Sequence, residues 1–503
     1  MKKFLLAGVI ICTTLTFTKA QTFIGDTLIV TTDNDTLALP FPMDHSKRLQ
    51  REDIINKKEG WYMTGLPELT IDPIRGFSVG GNAFLFNNRD RNDPFFYFTP
   101  YRTMYSVALN VAQNGRVNGA FSLDMPFAFN SRWRLRGDFI YENDPNWQYF
   151  GLGRQTLRRL SYTDKQTGQF VDNARFNNYY SNLQRTRSGR GAQFGEDPNL
   201  IYTDAHYNEL NYTEFLTAAA AERTYFEGRL RVMLGYEMLI TRINHYDFDV
   251  IPDAVNPLTG EETEALQGRT LITEDYEAKQ RGDADSYWLK HNIGGYHGGR
   301  IGLAQFGLMW DTRDLETDPS NGIFAEFANE VSAPFTGSQF NFTKHLLQGI
   351  FYQRLLPEKV SRMVLTGRFA LGYIRGSSIP FTEVMDLWSA SEQGGIHVLG
   401  GAYALRGYRE ARFVGRVTAL ANMELRTRFY QRRILNQHLA FYVVPFYDAG
   451  SIWDSFRHIE INNFRGNPGL GARIVWNQAT ILRFDYARSR EDSQFFFVFG
   501  HTF

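Results

Sequence analysis

Two histidine–aspartate pairs are the side chains best suited to catalysis. Asp204 lies two residues before His206, and His245 lies two residues before Asp247. Such a pair could supply acid–base chemistry in a barrel protease or lipase, provided that a nucleophilic serine lies beside it. The sequence has no convincing serine at a matching strand end, and both pairs fall in or near long predicted loops. We therefore predict that the chain is not an enzyme and that the pairs are solvated loop residues.

Few residues are placed to bind a metal or a cofactor. Asp283 and Asp285 lie in the acidic stretch 273–286, which lacks the spacing and the closing glutamate of a dedicated calcium loop. Surface solvation explains this stretch better. The only cysteine, Cys12, lies in an amino-terminal segment that we predict to be removed. The mature chain then has neither a disulfide nor a cysteine-based metal site, and we expect no cofactor and no metal.

One arginine is better suited to a structural contact with a carboxylate than to catalysis. A long connection between two predicted strands contains a compact, glycine-framed quartet: Leu405, Arg406, Gly407 and Tyr408. A planar guanidinium suits a two-point contact with a carboxylate, and Gly407 would permit a tight turn that a side chain would block. The group that Arg406 contacts depends on what the strands build.

The composition fits a chain that faces lipid only on alternate residues. The formal net charge is +0, so nothing indicates nucleic-acid binding. Charged residues make up 21% of the chain and aromatic residues 15%, including 42 Phe and 26 Tyr. After residue 20 no stretch is long and apolar enough for a membrane helix, which needs about 18 residues. High polarity with a heavy aromatic content therefore indicates strands with one apolar face.

The first twenty residues have the features of a secretory signal. Two lysines give a positive start, residues 4–17 form an apolar run, and Ala20 offers a small residue before Gln21. We expect cleavage after residue 20. The arm that follows, 21–60, would be periplasmic, with a hairpin about Asp33–Asp35 and then a stretch that is either a short helix or disordered.

Alternating side chains predict a membrane barrel over residues 61–503. The final stretch places four phenylalanines on one face: Phe495, Phe497, Phe499 and Phe503. The stretch 421–429 alternates apolar residues with four polar ones: Asn422, Glu424, Arg426 and Arg428. A soluble sandwich rarely has such an inner face, whereas apolar-out and polar-in strands are typical of outer-membrane barrels. Because lipid excludes open sheet edges, the sheet must close.

The pattern predicts an all-β, antiparallel, membrane-spanning barrel of about sixteen strands. Their expected positions are 64–71, 76–88, 100–114, 116–128, 131–143, 207–221, 223–246, 295–312, 322–334, 338–355, 360–376, 412–430, 438–450, 466–476, 479–489 and 494–503. The longest connections, 144–206, 247–294 and 377–411, all follow odd-numbered strands. We therefore expect both termini on the periplasmic side and the long loops outside.

The quartet resembles the V/I-R-G-F/Y signature of the BamA/TamA outer-membrane assembly superfamily, also called the bacterial surface antigen family. Other stretches resemble further family motifs in the same order. The family's D-T-R-D turn is matched by four residues: Asp311, Arg313, Asp314 and Gly322. The E-L-R strand is matched by 422–426 and the F-x-D-x-G strand by 446–450. The resemblance covers about 300–503, and 67–81 resembles the family's first hairpin.

The resemblance implies a role for the arginine. In that family a long extracellular loop folds into the lumen, and its arginine pairs with acids on the inner wall. The role would fall to Arg406, with Asp448 as its main partner and Glu424 as its second. A seam between the first and last strands is expected to open towards lipid, and Pro67 and Gly500 would weaken it here. The alternatives are a solvated loop arginine and two ordinary lumen charges.

The resemblance also has a limit, because family insertases carry POTRA modules, small domains that receive unfolded substrate. The arm 21–60 is too short for one. We predict insertion or translocation of proteins at the outer membrane, with unfolded or secreted proteins as substrates. Outer-membrane lipid, lipopolysaccharide and a periplasmic or lipoprotein partner with a POTRA-like role would be the other contacts. A passive porin-like channel and a non-transporting accessory subunit are the alternatives.

Overall fold

A computed structural model describes most of the chain. The described residues are 29–31, 36–49, 51–72, 74–184, 186–188, 201–246, 250–255, 262–267, 270–358, 360, 362–391, 396–435, 437–460, 463–477 and 479–503. The predicted signal, Asp247 and the tip of the predicted arm hairpin lie outside them.

Sixteen long strands among the described residues form one closed antiparallel barrel. Each strand pairs with the next along the chain, and the last lies beside the first. In chain order they are β1 (Trp61–Asp72), β2 (Gly76–Asn87), β3 (Thr103–Ala112), β4 (Val117–Ala128), β5 (Trp133–Gln148), β6 (Glu209–Tyr225), β7 (Leu230–Asn244), β8 (Gly298–Asp311), β9 (Gly322–Ser332), β10 (Asn341–Arg354), β11 (Met363–Pro380), β12 (Val417–Ile434), β13 (Gln437–Trp453), β14 (Arg465–Trp476), β15 (Thr480–Arg488) and β16 (Ser493–Phe499). The predicted fold class is confirmed.

Short elements lie in the arm and in the connections. The helices are α1 (Arg51–Asn56), α2 (Phe176–Leu183), α3 (Leu271–Gln280), α4 (Tyr287–Lys290) and α5 (Phe381–Val384). There are 3₁₀ turns at His45–Lys47, Pro94–Tyr97, Gly153–Leu157, Phe226–Gly228, Pro334–Thr336 and Phe456–His458. The minor strands are Ile29–Thr31, Thr36–Ala38, Tyr162–Thr163, Phe170–Val171, Thr186–Ser188, Ile201–Thr203, Val250–Val255, Glu262–Gln267, Ile293–Gly294, Asp386–Leu387 and Ile396–His397. None of the described helices combines the length and the apolar character that a membrane span requires.

The two ends of the barrel differ as the sequence predicted. Connections after even-numbered strands are mostly short, and β1 begins and β16 ends on that side, which we call the short-turn end. The longest connections, 149–208, 245–297 and 381–416, follow odd-numbered strands and meet at the opposite, long-loop end. We refer to 381–416 as the lumen loop.

Several predicted boundaries are wrong by a few residues. The turn predicted near residue 222 lies at 226–229, and the connection predicted at 377–411 spans 381–416. Glu222 and Arg231 show the reason, because both are buried strand residues that pair across the lumen wall at 3.3 Å. Charged residues that look like a turn in the sequence can belong to a strand whose inner face is polar.

The inner face of the barrel is charged and the outer face apolar. On β12, Asn422, Glu424 and Arg426 are buried, whereas Met423 between them is half exposed. Four arginines are among the largest fully buried side chains: Arg406, Arg426, Arg473 and Arg483. Paired charges therefore pack the interior around β12 to β15.

The carboxyl-terminal tail leaves the wall after β16. The N–H of Gly500 still donates to the carbonyl of Ile481 at 2.8 Å. The φ of Gly500 is +85°, a left-handed backbone that glycine adopts without strain. The tail residues 501–503 then turn into the lumen, where the side chain of Thr502 is buried.

The inward turn corrects one sequence prediction. Phe495 is exposed on the outer face, but Phe503 is buried and does not continue that face. The guanidinium groups of Arg368 and Arg426 lie 5.0 and 5.3 Å from the centre of its ring. Phe503 is thus a lumen residue, because the turn at Gly500 breaks the period of two.

The arm packs against the short-turn end of the barrel. Ile29–Thr31 pairs with Thr36–Ala38 as an antiparallel hairpin, as predicted, and α1 provides the short helix that was one of the two options for the following stretch. Met43 and Leu39 are buried against a group of aromatic residues in the β2–β3 connection: Phe95, Phe96, Tyr97 and Phe98. From Leu39 onwards the arm is therefore part of the folded barrel end.

Polar contacts hold the arm against the barrel end, and those of Lys47, Leu49 and Lys57 are among them. The Nζ of Lys47 lies 2.9 Å from a carboxylate oxygen of Asp311 at the end of β8. Burial lowers the pKa of Lys47, although Asp311 opposes this shift. The N–H of Leu49 donates to the carbonyl of Tyr97 at 2.9 Å. Further along, the Nζ of Lys57 donates to backbone carbonyls of the same connection at 2.5 and 2.6 Å.

Aromatic residues close the long-loop end. The indole of Trp288 is fully buried and donates to the hydroxyl of Tyr149 at 3.0 Å. The ring of Phe381, at the start of the lumen loop, stacks on Trp288 at 5.6 Å. Because these three residues come from three different connections, the long loops form one packed layer above the lumen.

Candidate functional site

The lumen loop carries Arg406 into a cluster of carboxylates on the barrel wall. The guanidinium makes a two-point contact with Asp448 of β13, at 3.0 Å from Nε and 2.7 Å from Nη2. Its Nη1 donates to Glu424 of β12 at 2.7 Å and to Asp485 of β15 at 2.9 Å. All four side chains are fully buried. One arginine thus links the loop to three wall strands.

Local geometry explains how the quartet presents the arginine. The N–H of Tyr408 donates to the carbonyl of Leu405 at 3.0 Å, which closes a tight turn. Leu405 is completely buried, so the turn is held by apolar packing on one side. A Cβ on Gly407 would lie 2.7 Å from the Cβ of Asn467 on the wall. Glycine is therefore required for close approach to β14.

Neighbouring groups orient both members of the main pair. The side-chain amides of Asn422 and Asn467 donate to Asp448 at 2.7 and 3.1 Å. The guanidinium of Arg406 lies 3.3 Å from the centre of the Phe446 ring, a cation–π contact that favours a desolvated cation. The two asparagines orient the carboxylate from the wall side, because both belong to wall strands.

The same cluster binds the carboxyl-terminal tail. Arg406 Nη1 donates to the hydroxyl of Thr502 at 3.0 Å, and that hydroxyl donates to Glu424 at 3.0 Å. Arg483 of β15 donates to the same hydroxyl at 2.5 Å. Arg426 donates to the carbonyl of Phe503 at 3.0 Å. The loop and the tail that follows the last strand therefore share one set of partners.

Sequence reasoning missed two members of this cluster. The sequence predicted Asp448 and Glu424 as partners of Arg406, but neither Asp485 nor Thr502. The period of two on β15, where Arg483 and Asp485 face inwards, was the available signal for Asp485. The sequence contained no such signal for Thr502, because its position depends on the turn at Gly500.

The D-T-R-D turn lies at the short-turn end and holds the arm. Asp311 accepts the backbone N–H of Arg313 at 2.9 Å and the guanidinium of Arg313 at 3.0 Å. The same carboxylate pairs with Arg231 of β7 at 3.1 Å and with Lys47 of the arm. Asp311 is therefore the junction of the wall, the turn and the arm.

The rest of the motif shapes the turn itself. One carboxylate oxygen of Asp314 accepts the backbone N–H groups of Ser320 and Asn321 at 2.8 and 3.2 Å. Gly322 has a φ of +116°, and a Cβ there would lie 2.4 Å from the carbonyl of Thr312. In the same turn, burial raises the pKa of Asp318, but Arg362 and His501 outweigh it and hold the pKa below its ordinary value.

A second charged group lies near the long-loop end. Glu330 of β9, Glu383 and Asp386 are close enough to share one cation. The ammonium of Lys344 already lies among them, at 2.7, 2.7 and 2.8 Å. Lys344 thus supplies the positive charge that a metal would otherwise bring.

The remaining sequence candidates have partners in or beside the long loops. His206 bonds to Glu209 at 2.6 Å rather than to Asp204, and the ring of His245 stacks on Tyr296 at 3.8 Å. Two acidic loop residues pair with basic neighbours: Asp283 with Arg281 and Asp285 with Lys290.

The seam between β1 and β16 is formed by an unusually short last strand. β16 is seven residues long, fewer than any other barrel strand. Beyond the end of β16, the hydroxyl of Thr64 in β1 lies 2.6 Å from the hydroxyl of Thr480 in β15. The ring of Phe499 lies 5.4 Å from that of Phe84 in β2. At the short-turn end, side chains therefore bridge the gap that the departing tail leaves.

Loss of the main carboxylate should release the loop. We expect Asp448→Asn to increase protease cleavage of the lumen loop by about tenfold or more, because removing one partner of a buried pair costs roughly 3–5 kcal/mol and a wet lumen reduces this. Limited proteolysis of the purified barrel measures it, with Asp283→Asn in an exposed loop as the matched control. Unchanged cleavage would show that Glu424 and Asp485 hold the arginine without Asp448.

Two family models match the sequence. One, described as the Omp85 superfamily domain, matches residues 75–503. The other, described as a domain of unknown function (DUF5982), matches residues 39–102, which include part of the arm and the first two strands. No curated protein matches the chain.

Solved structures with a similar fold are distant in sequence. BamA from Haemophilus ducreyi lacking POTRA domains 1–3 is 12% identical, with a TM-score of 0.45 over 88% of this chain and 70% of that chain. CdiB from Acinetobacter baumannii is 10% identical, with a TM-score of 0.39 over 88% of this chain and 60% of the other. CdiB from Escherichia coli is 10% identical, with a TM-score of 0.43 over 92% and 63%. The chain thus spans less than two thirds of either CdiB.

Proposed function

Because this chain belongs to the Omp85 superfamily and is a Gram-negative outer-membrane β-barrel, we propose that it helps proteins to enter or cross the outer membrane. The short-turn end would face the periplasm with both termini, and the long-loop end would face outside. Its substrates would be unfolded or secreted proteins, handled in contact with outer-membrane lipid and lipopolysaccharide. A periplasmic protein or lipoprotein would supply the role that POTRA modules have elsewhere.

The observation that carries this proposal is the contact of Arg406 with the tail that follows the last strand. Its partners lie on β12, β13 and β15 and on the tail after β16, the strands that lead up to the junction with β1. Arg426 and Arg473 pair with the same carboxylates, and burying so many charges together is a poor way to gain stability, since desolvation offsets most of the attraction. Such a cluster is better explained by specificity, because it selects one position of the loop and the tail among several.

A mechanism follows from this arrangement. While Arg406 and Arg483 hold Thr502, the tail stays in the lumen and β16 ends early. Movement of the lumen loop would remove one of the contacts that hold the tail, which Arg483 and Arg426 of the wall also bind. A tail held more weakly would loosen β16 beside β1. A client strand could then pair with the exposed edge of β1, because an open edge in lipid must find backbone partners. The loop would thus set how readily the seam opens.

Depletion of the protein, followed by quantitative analysis of the outer-membrane proteome, tests the proposal. Surface labelling separates proteins that fail to insert from proteins that fail to reach the surface. Loss of many barrels would indicate general assembly, and loss of one or two surface proteins would indicate a dedicated translocator. Re-expression of the wild-type chain should restore the lost proteins. An unchanged proteome would contradict the proposal, and single-channel conductance would then test a passive pore.

A further inference from the structure

The arm contacts turns on opposite sides of the barrel. The ring of Phe41 lies 5.7 Å from the ring of Phe127, near the end of β4. Further along the chain, Asn56 of α1 accepts a hydrogen bond from Arg433 of the β12–β13 turn at 3.4 Å. In a closed ring of sixteen strands, these two turns are eight strands apart in either direction. The segment 41–57 therefore extends from one side of the short-turn end to the other, and we call it the strap.

The strap lies across the opening rather than along its rim. Lys47 pairs with Asp311 at the end of β8, at 2.9 Å. Two residues later, the N–H of Leu49 donates to the carbonyl of Tyr97 in the β2–β3 connection, also at 2.9 Å. The end of β8 and the β2–β3 connection are six strands apart around the wall. Nearby residues of the strap can contact both only where the strap and this connection meet over the lumen.

Inner-wall residues lie directly beneath the strap. Met43 and Lys47 line a cavity of about 70 Å³, together with Arg134 of β5, Glu222 of β6 and Arg231 of β7. These three wall residues are buried. A cavity of this size has room for a few water molecules. The strap therefore covers the lumen at the short-turn end.

The pair of Lys47 with Asp311 is the strongest of the charge contacts that hold the strap. Both side chains are buried, at 12% and 6% exposure. Arg229, which pairs with the strap at the β6–β7 turn, is 43% exposed, so water screens that pair. Arg362 of the β10–β11 turn lies 4.0 Å from its partner on the strap, which is too far for a hydrogen bond.

This strongest contact can also be broken without leaving a buried charge unpaired. Asp311 accepts hydrogen bonds from Arg231 at 3.1 Å and from Arg313 at 3.0 Å. Both arginines belong to the wall and its turn, so they stay in place when the strap moves. Because an unpaired buried carboxylate is what makes the loss of a partner costly, the wall tolerates the departure of Lys47.

We propose that the strap is a gate that closes the lumen at the short-turn end and is held shut by the pair of Lys47 with Asp311. When the gate opens, the strap leaves the turns and exposes the inner wall of β5 to β7, while the strand ladder stays intact. The D-T-R-D turn then has a role beyond the shape of its own connection, because its first aspartate holds the gate. The inference goes beyond the proposed function, since a covered lumen limits the entry of any solute or polypeptide.

Thiol labelling of the purified full-length barrel in detergent micelles tests the gate. Thr224 lines the cavity beneath the strap. Thr224→Cys is the only cysteine of the mature chain, because Cys12 lies in the predicted signal. We expect a bulky, charged maleimide to label it slowly, and to label it about tenfold faster or more when Lys47→Glu is added. The matched control is Arg51→Glu, an exposed residue of the strap, which should leave the rate unchanged.

Hydrogen exchange over 39–57 in the same samples reports whether the strap has left the turns. Fast exchange with slow labelling would show that the strap does not close the lumen. Slow exchange in Lys47→Glu would show that the pair with Asp311 does not hold the strap, and either result overturns the proposal. Should Lys47→Glu fail to assemble, Lys47→Met removes the ammonium without adding a negative charge. Its labelling rate must then rise by a smaller factor, and an unchanged rate would contradict the gate.

The labelling result is independent of the proteome experiment. Labelling requires no insertion activity, so the gate can fail while the proteome result stands, and the proteome can remain unchanged while the gate opens. Conductance would be a poorer measurement, because the aromatic layer at the long-loop end also covers the lumen.

Discussion

Arg406→Ala should abolish most of the activity while leaving the barrel assembled. The change removes the side chain that joins the lumen loop to Asp448, Glu424 and Asp485 at once. It also leaves buried carboxylates with fewer cations, at a cost of roughly 3–5 kcal/mol that lumen water reduces. We expect complementation of a depleted strain to fall by about tenfold or more, with greater protease cleavage of the lumen loop.

A second variant at the same position separates charge from geometry. Arg406→Lys keeps the positive charge but loses the planar fork that contacts Asp448 at two points. It should have intermediate activity and intermediate loop protection. Heat-modifiable gel mobility reports whether each variant still forms a barrel. Normal activity together with normal protease protection in Arg406→Ala would show that the apolar packing and the backbone contacts of the loop are enough to hold it.

Lys47→Glu should detach the arm from the short-turn end. Its ammonium lies 2.9 Å from Asp311, so a glutamate would place two carboxylates together at a buried site. Breaking such a pair costs roughly 3–5 kcal/mol, so deuterium exchange over 39–60 should rise by about 100-fold or more. Hydrogen-exchange mass spectrometry measures the arm separately from the barrel strands, whose exchange should stay slow.

A charge-matched variant of the same arm provides the control. Arg51 lies on α1 and is exposed, so Arg51→Glu makes the same change of charge away from Asp311. Its exchange should match the wild type. Equal, slow exchange in both variants would mean that the aromatic pocket and the backbone contacts of Leu49 and Lys57 are enough to hold the arm.

The alternation of side chains was sufficient to predict the barrel and its inner face. Lipid outside and a polar lumen inside impose a period of two, which each strand displays without reference to its neighbours. This is why Glu424 and Asp448 could be placed on the wall from single strands. The resemblance then suggested that Arg406 meets them. The same local logic misplaced the β6–β7 turn, because an inward charge and a turn residue look alike in sequence.

Only the tertiary structure decided which distant groups meet in the lumen. Asp485 and Thr502 lie 79 and 96 residues from Arg406 along the chain, and barrel closure brings them to one guanidinium. The inward course of the tail depends on the left-handed backbone at Gly500, and the docking of the arm depends on Lys47 reaching Asp311. A strand's period fixes which face a side chain lies on, but the order and stagger of the strands fix what it touches.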